Sequence, residues 1–268
     1  KGPYTTWYDK VPGKTVKWKE KDWKKAGYRH VPNGVVRRGS YIATVSMSGQ
    51  HNTGATYALS LSGSTSITAG TGVTLESLND NTGTIALLSS GGIDGGSGTV
   101  LMRAANYAFG GADRTITTTG VLTIEPDADE NSFASSFDNQ YLNPVSVTGL
   151  TLGKSSNASA ITLSRAISLS GPVSIYGGSI DVNANITANS GNILLDADTG
   201  STLNQSSTGI LLDDVITIET VTSGNLTLIG RSGDTGSGFD GIDASSANTT
   251  TLRSAGNLTL QGYSYAAS

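Results

Sequence analysis

Ser223–Gly230 reads SGNLTLIG, and near-copies stand at Ser190–Ala197 (SGNILLDA) and Ala255–Gly262 (AGNLTLQG). The three copies begin 33 and 32 residues apart. Recurrence at such a period marks a stacked repeat. Within a copy, Leu226 and Leu228 alternate with Asn225 and Thr227. Period two turns one face of a strand inward and the other outward. The glycine before each asparagine allows a corner that a side chain would block, and Gly-Asn suits a turn made without a helix. The pattern assigns Ile193, Leu195, Ile210, Leu212, Leu226, Leu228, Leu258 and Leu260 to a buried core. It assigns Gly191, Asn192, Gly224, Asn225, Gly256 and Asn257 to corner turns.

The same alternation continues between the copies and predicts strands at 161–164, 166–170, 173–176, 179–183, 186–189, 192–196, 209–213, 215–220, 225–229, 249–253 and 257–261. Two-residue hairpin turns are missing between most of them, which disfavours a meander. Three short strands per turn, each stacked in parallel on the turn below, make an all-β parallel β-helix, a solenoid. At roughly 20 residues per turn and about 4.8 Å per strand spacing, residues 42–262 would form about 11 turns and a rod of about 50 Å. Residues 125–145 break the alternation and are expected to protrude as a loop.

Composition supports short strands joined by tight turns. Thr, Ser and Gly make up 104 of 268 residues, interleaved with regular Ile, Leu and Val. Cysteine is absent, so disulfides and thiolate metal sites are excluded. No run of about 18 apolar residues occurs, so no helical membrane span is expected. Charge divides the chain near residue 40. Residues 1–38 hold 11 of the 17 Lys and Arg against three acids, a balance of +8, and all three Trp. The remainder carries six cationic and 18 acidic side chains, a balance of −12. Two domains are therefore expected, a basic aromatic segment at 1–40 and a solenoid at 41–268.

The N-terminal segment suggests a cap over the open strand edge of the first coil, or a tether to an acidic neighbour. Trp7, Trp18, Trp23, Lys17, Lys19, Lys24 and Lys25 would form that interface. Leu194 and Leu211 stand where other copies have Thr, and would add an outward apolar ridge or be covered by a loop. Nucleic acid is not expected for a chain of pI about 5.1. The last copy is followed only by Tyr263–Ser268, which supplies no cap, so head-to-tail self-association is expected.

Catalytic patterns are sparse. His30 and His51 have no metal-ligand spacing, and no nucleophile elbow or phosphate loop occurs. Asp127, Asp129 and Asn131 imitate the start of a calcium loop, but Ser132 and Asp138 stand where it needs Gly and Glu. The run is read as a solvated acidic loop, with calcium as its alternative, and no cofactor is expected otherwise. The carboxylate pairs Asp196–Asp198, Asp213–Asp214 and Asp240–Asp243 are the groups that could serve a polysaccharide-cleaving β-helix.

Asp113–Pro126 (DRTITTTGVLTIEP), Gly149–Ala188 and the SGN copies resemble the β-strand-repeat exoproteins of bacteria, the filamentous-haemagglutinin-like adhesins. The resemblance spans residues 113–262. It implies a right-handed β-helix and an extracellular or cell-surface location. On this basis the chain is expected to be a non-catalytic structural protein, a subunit of a secreted fibre or adhesive surface, with host or matrix glycans as partners. The alternative is a carbohydrate-binding or polysaccharide-cleaving β-helix.

Overall fold

The computed structural model describes residues 8–11, 14–17, 45–49, 57–62, 65–78, 82–88, 91–111, 113–127, 130–197, 207–233, 239–244 and 249–264. The chain divides into two compact units, Lys1–Ile42 and Ala43–Ser268. In the first, β1 (Tyr8–Val11) runs antiparallel to β2 (Lys14–Lys17), with Tyr8 opposite Lys17 and Val11 opposite Lys14.

The second unit is a parallel β-helix, and no helix occurs among the described residues. The first strands of its coils are β3 (Val45–Gly49), β6 (Gly72–Ser77), β9 (Thr99–Arg103), β12 (Val121–Glu125), β15 (Gly149–Leu152), β18 (Val173–Gly177), β21 (Ile193–Ala197), β24 (Leu226–Arg231) and β27 (Leu258–Tyr263). They stack in that order into one nine-stranded sheet. The second wall is made of two sheets. One holds β4 (Leu59–Leu61), β7 (Thr84–Leu87) and β10 (Asn106–Phe109). The other holds β13 (Phe137–Asp138), β16 (Ile161–Leu163), β19 (Ile180–Val182), β22 (Ile210–Leu212) and β25 (Ile242–Asp243). The third wall is also divided. Its lower sheet holds β5 (Ile67–Thr68), β8 (Ile93–Asp94), β11 (Arg114–Thr117) and β14 (Leu142–Val145). Its upper sheet holds β17 (Ile167–Leu169), β20 (Ile186–Ser190), β23 (Thr217–Ser223) and β26 (Thr251–Arg253).

Strict register converts the sequence alternation into columns. One inward column of the long sheet runs Val73, Val100, Leu122, Leu150, Val173, Ile193, Leu226, Leu258. A second runs Leu75, Met102, Ile124, Leu152, Ile175, Leu195, Leu228, Leu260. Each side chain thus rests on its equivalent one coil away. Burying one such side chain fully contributes about 1.5–3 kcal/mol, which a lone strand could not collect. The outward column between them carries Thr74, Leu101, Thr123, Thr151, Ser174, Leu194, Thr227 and Thr259.

Three expectations are corrected. Leu258 and Leu260 are 47% and 52% exposed, whereas Leu226 and Leu228 are fully buried. The pair continues the inward columns, but among the described residues no coil closes over β27. Residues 125–145 do not protrude as a loop: they supply β13 and β14 and bury Phe133, Phe137 and Leu142. Phe137 stacks in register on Ile161, so the segment is a coil in its own right. Coils are also longer than 20 residues. Successive strands of the long sheet start 20 to 33 residues apart, and its eight steps of about 4.8 Å span about 38 Å, not 50.

The corners are built by stacked main chain. Gly191 and Gly224 have φ of 110° and 112°. The Asn225 N–H donates to Asn192 Oδ1 at 2.9 Å, and the Asn257 N–H donates to Asn225 Oδ1 at 2.8 Å. The Gly256 N–H donates to the Gly224 carbonyl at 2.8 Å. Each asparagine side chain therefore satisfies a main-chain donor of the next coil that no strand partner would reach.

Candidate functional site

The break in the second wall creates a cleft. β10 ends the lower sheet and β13 begins the upper one, and the two do not pair. Aromatic rings fill the gap. Tyr107 lies 5.8 Å from Phe133 and 5.5 Å from Phe137, edge to face. Phe109 meets Phe137 edge-on at 6.0 Å, and Phe133 stacks on Phe137 at 5.6 Å. Such pairs add about 0.5–1.5 kcal/mol each beyond their buried area. The cavity measures about 210 Å³, and Asn106, Ser135, Asp138, Gln140 and Tyr141 complete its lining.

Hydrogen bonds fix the surround. The Tyr107 hydroxyl donates to the Glu125 carbonyl at 3.1 Å, and burial lifts this phenol well above its usual pKa, so it stays neutral. Ser135 Oγ donates to Asn106 Oδ1 at 2.8 Å. Asp138 accepts from the Gln140 N–H at 2.9 Å and from Ser164 Oγ at 3.1 Å. Asn157, fully buried, accepts from the Phe133 N–H at 3.2 Å and donates to the Tyr176 carbonyl at 2.8 Å, holding the cleft to the coil above. Arg165 donates through both terminal nitrogens to Asp113 at 2.5 and 2.8 Å. That hydrogen-bonded pair raises the Arg165 pKa and lowers that of Asp113.

The remaining cations of residues 43–268 are engaged too. Arg103 bonds Glu125 at 2.5 Å and approaches Glu76 at 3.7 Å. Arg114, with no exposed surface, donates to main-chain carbonyls. The Lys154 ammonium donates to the carbonyls of Asp127 and Glu130. Arg231 lies 3.8 Å from Asp196 and 5.2 Å over the Tyr263 ring. Arg253 lies 3.8 Å from Glu219. Lys154 puts a positive charge on the loop of Asp127 and Asn131, for which calcium was the alternative reading; Asp129 lies outside the described residues.

The other expected site residues are scattered. Trp7, Trp18, Trp23, Lys19, Lys24 and Lys25 lie outside the described residues, and Lys17 ends β2. Leu194 and Leu211 are half-buried and stand on different walls, β21 and β22, so they form no common ridge. Asp196 is on the long sheet and Asp198 lies outside the described residues. Asp213 and Asp214 are exposed just past β22, and Asp243 closes β25. No cluster of three metal-binding side chains occurs among the described residues.

Asp181, on β19, is a further partly satisfied carboxylate. One oxygen accepts from Asn183 Nδ2 at 3.2 Å, and the other is buried without a hydrogen-bond partner. Burial raises its pKa, and the charges of Asp213 and Asp138 add to the shift. The native state therefore holds this proton more tightly than the unfolded chain. The cost of the charged form is present above the native pKa and vanishes as pH falls through it. Asp181→Asn is expected to raise the thermal midpoint at neutral pH and leave it unchanged in acid, read by calorimetry at both. Equal shifts at the two pH values would instead indicate a packing change.

No family model and no solved structure matches the chain. Curated relatives do. The chain is 54% identical over 44 residues to a 2,3,4,5-tetrahydropyridine-2,6-dicarboxylate N-succinyltransferase of Pelagibacter ubique, covering 15% of this chain and 16% of that protein. It is 60% identical over 38 residues to the protein of the same name from Cereibacter sphaeroides, covering 14% of each. The protein of that name from Paramagnetospirillum magneticum is 55% identical over 42 residues, 16% of this chain and 15% of its own length. The chain thus spans only about one-seventh of the length of these relatives. These matches overturn two expectations, that the chain is a non-catalytic extracellular structural protein or a glycan-directed β-helix, and that no enzyme is involved. The parallel β-helix stands; membership of an adhesin family is not shown. No helix of the described residues is long and apolar enough to cross a membrane.

Proposed function

We propose that the chain carries the acceptor-recognition part of an N-acyltransferase, with Lys1–Ile42 as that part. The carrying observation is identity of 52–60% over 38–44 residues to N-succinyltransferases. The length of those matches is close to that of the first unit, Lys1–Ile42.

Charge supports the same placement. An acceptor with two carboxylates and a succinyl donor with one both need cations. Of the six cationic side chains of residues 43–268, five are buried or half-buried against carboxylates or carbonyls, and Arg253, 3.8 Å from Glu219, stays largely exposed. Residues 1–38 hold the other 11, among them Arg29, Arg37 and Arg38. Arginine's planar fork suits carboxylates in particular. In the reaction, water adds to the acceptor's cyclic imine and opens it to an amine, and that nitrogen attacks the carbonyl of an activated succinyl thioester. The C–N bond forms, the C–S bond breaks, and the thiolate leaves with the proton lost by nitrogen.

The test is mass spectrometry of N-succinyl product, using the whole chain, a succinyl thioester and an amino dicarboxylate acceptor. Product above the protein-free rate is expected, with at least about tenfold loss in the Arg37→Glu, Arg38→Glu double variant, the scale of removing charged hydrogen bonds to carboxylate. No product from the intact chain would sink the proposal.

A further inference from the structure

We propose that the aromatic cleft between β10 and β13 binds a small organic ammonium cation. This site is independent of acyl transfer and of the first unit. Three of the four phenylalanines in the chain, Phe109, Phe133 and Phe137, converge here with Tyr107 and Tyr141. Phe133 and Phe137 are buried, whereas Tyr107, Phe109 and Tyr141 are half-buried along a cavity of about 210 Å³; aromatic faces carry the negative end of the ring quadrupole. That space suits a group of a few carbons around one nitrogen.

Asp138 stands on the rim, exposed, and its two hydrogen-bond partners, the Gln140 N–H and Ser164 Oγ, are neutral. The guanidinium next to it, Arg165, is bound by Asp113 and reaches only the Gln140 carbonyl, at 3.4 Å. The cleft therefore combines aromatic rings with a carboxylate whose hydrogen-bond partners carry no charge. The surrounding residues 43–268 balance at −12, which raises the local concentration of cations and repels anions. A bare divalent ion fits poorly, because hard cations demand six or more oxygen ligands and Asp138 is the one carboxylate of the lining. An ammonium carrying alkyl groups satisfies both features, its substituents against the rings and its charge toward Asp138.

The test is calorimetric titration of the whole chain with choline and with its neutral carbon isostere, 3,3-dimethylbutanol. Choline is expected to bind about fivefold or more tightly than the isostere, the contribution of cation–π contact and a nearby carboxylate. Asp138→Asn is expected to weaken choline and leave the isostere unchanged, since the amide keeps the turn's acceptor. Phe109→Leu is expected to weaken choline more than the isostere. Unchanged circular dichroism of both variants secures the comparison. Equal binding of the two probes, no binding of choline, or choline binding that survives both substitutions would overturn the proposal.

Discussion

Gly224→Ala is expected to destabilise the upper coils by about 4 kcal/mol, combining backbone strain with overpacking. At φ 112° an L side chain is strained whatever the space around it. Here there is no space: an added Cβ would stand 1.9 Å from the Gly191 carbonyl oxygen and 2.3 Å from its carbon. Both are main-chain atoms of the coil below, and they are fixed by that coil's own ladder. The Gly191 N–H donates to the Ser223 carbonyl, so the corner cannot open without losing a hydrogen bond. Gly111→Ala is the control. Gly111 has φ 75° and open space where its Cβ would stand, so only about 1–2 kcal/mol of left-handed strain should appear. A solenoid loses structure locally, because each coil touches only its neighbours. Hydrogen exchange on the Gly224 variant should therefore show lost protection in β21, β24 and β27, with β6 and β9 unchanged. Equal destabilisation by the two substitutions would show that stacked corners do not set the cost.

That corner was readable in sequence because its demands are local. A glycine at positive φ and an asparagine reaching the next N–H recur at one period. Ile193 and Leu195 were readable for the same reason, since alternation within five residues decides which face turns in. Leu258 and Leu260 carry the same alternation as Leu226 and Leu228, yet stand half in solvent. Burial in a solenoid depends on the next coil, and no pattern inside one copy encodes that. Coil length was misjudged because corners differ: Val173 to Ile193 spans 20 residues and Ile193 to Leu226 spans 33. Two-residue strands such as Ile67–Thr68 and Ile93–Asp94 are too short for any periodicity. The aromatic cleft was missed for a different reason. Its rings come from both sides of a break between sheets, at positions 107 to 141 that follow no repeat. The available signal was scarcity, since all but one phenylalanine fall within 109–137.

Arg114 lay outside every sequence argument, and its removal is the other large expected loss. It sits on β11 with no exposed surface, inside a corner of the lower coils. One terminal nitrogen donates to the Gly91 carbonyl at 2.6 Å and the Thr65 carbonyl at 3.3 Å, and the other to the Leu61 carbonyl at 3.2 Å. A single side chain thus ties three successive coils. The Leu61 carbonyl also accepts from the Leu88 N–H at 2.9 Å, so Gly91 and Thr65 depend on the arginine most. Burial lowers the guanidinium's pKa, a sign that the charge is held against a desolvation cost. Two effects therefore compete on Arg114→Met. Loss of the donors strands the buried Gly91 carbonyl, at about 1–3 kcal/mol, and the part-buried Thr65 carbonyl, at less. Relief of the desolvated charge works the other way, and apolar replacements of buried ions are sometimes neutral or stabilising. Methionine is shorter and leaves the carbonyls facing carbon, so a net loss of about 3 kcal/mol is expected. Exchange protection should fall in β4, β7 and β8 and stay intact in β21 and β24. Arg114→Lys should lose nearly as much, because one ammonium cannot span three carbonyls on two coils. Unchanged or increased stability in the methionine variant would mean that the buried charge costs more than its hydrogen bonds return, and that the lower coils are held by their apolar columns alone.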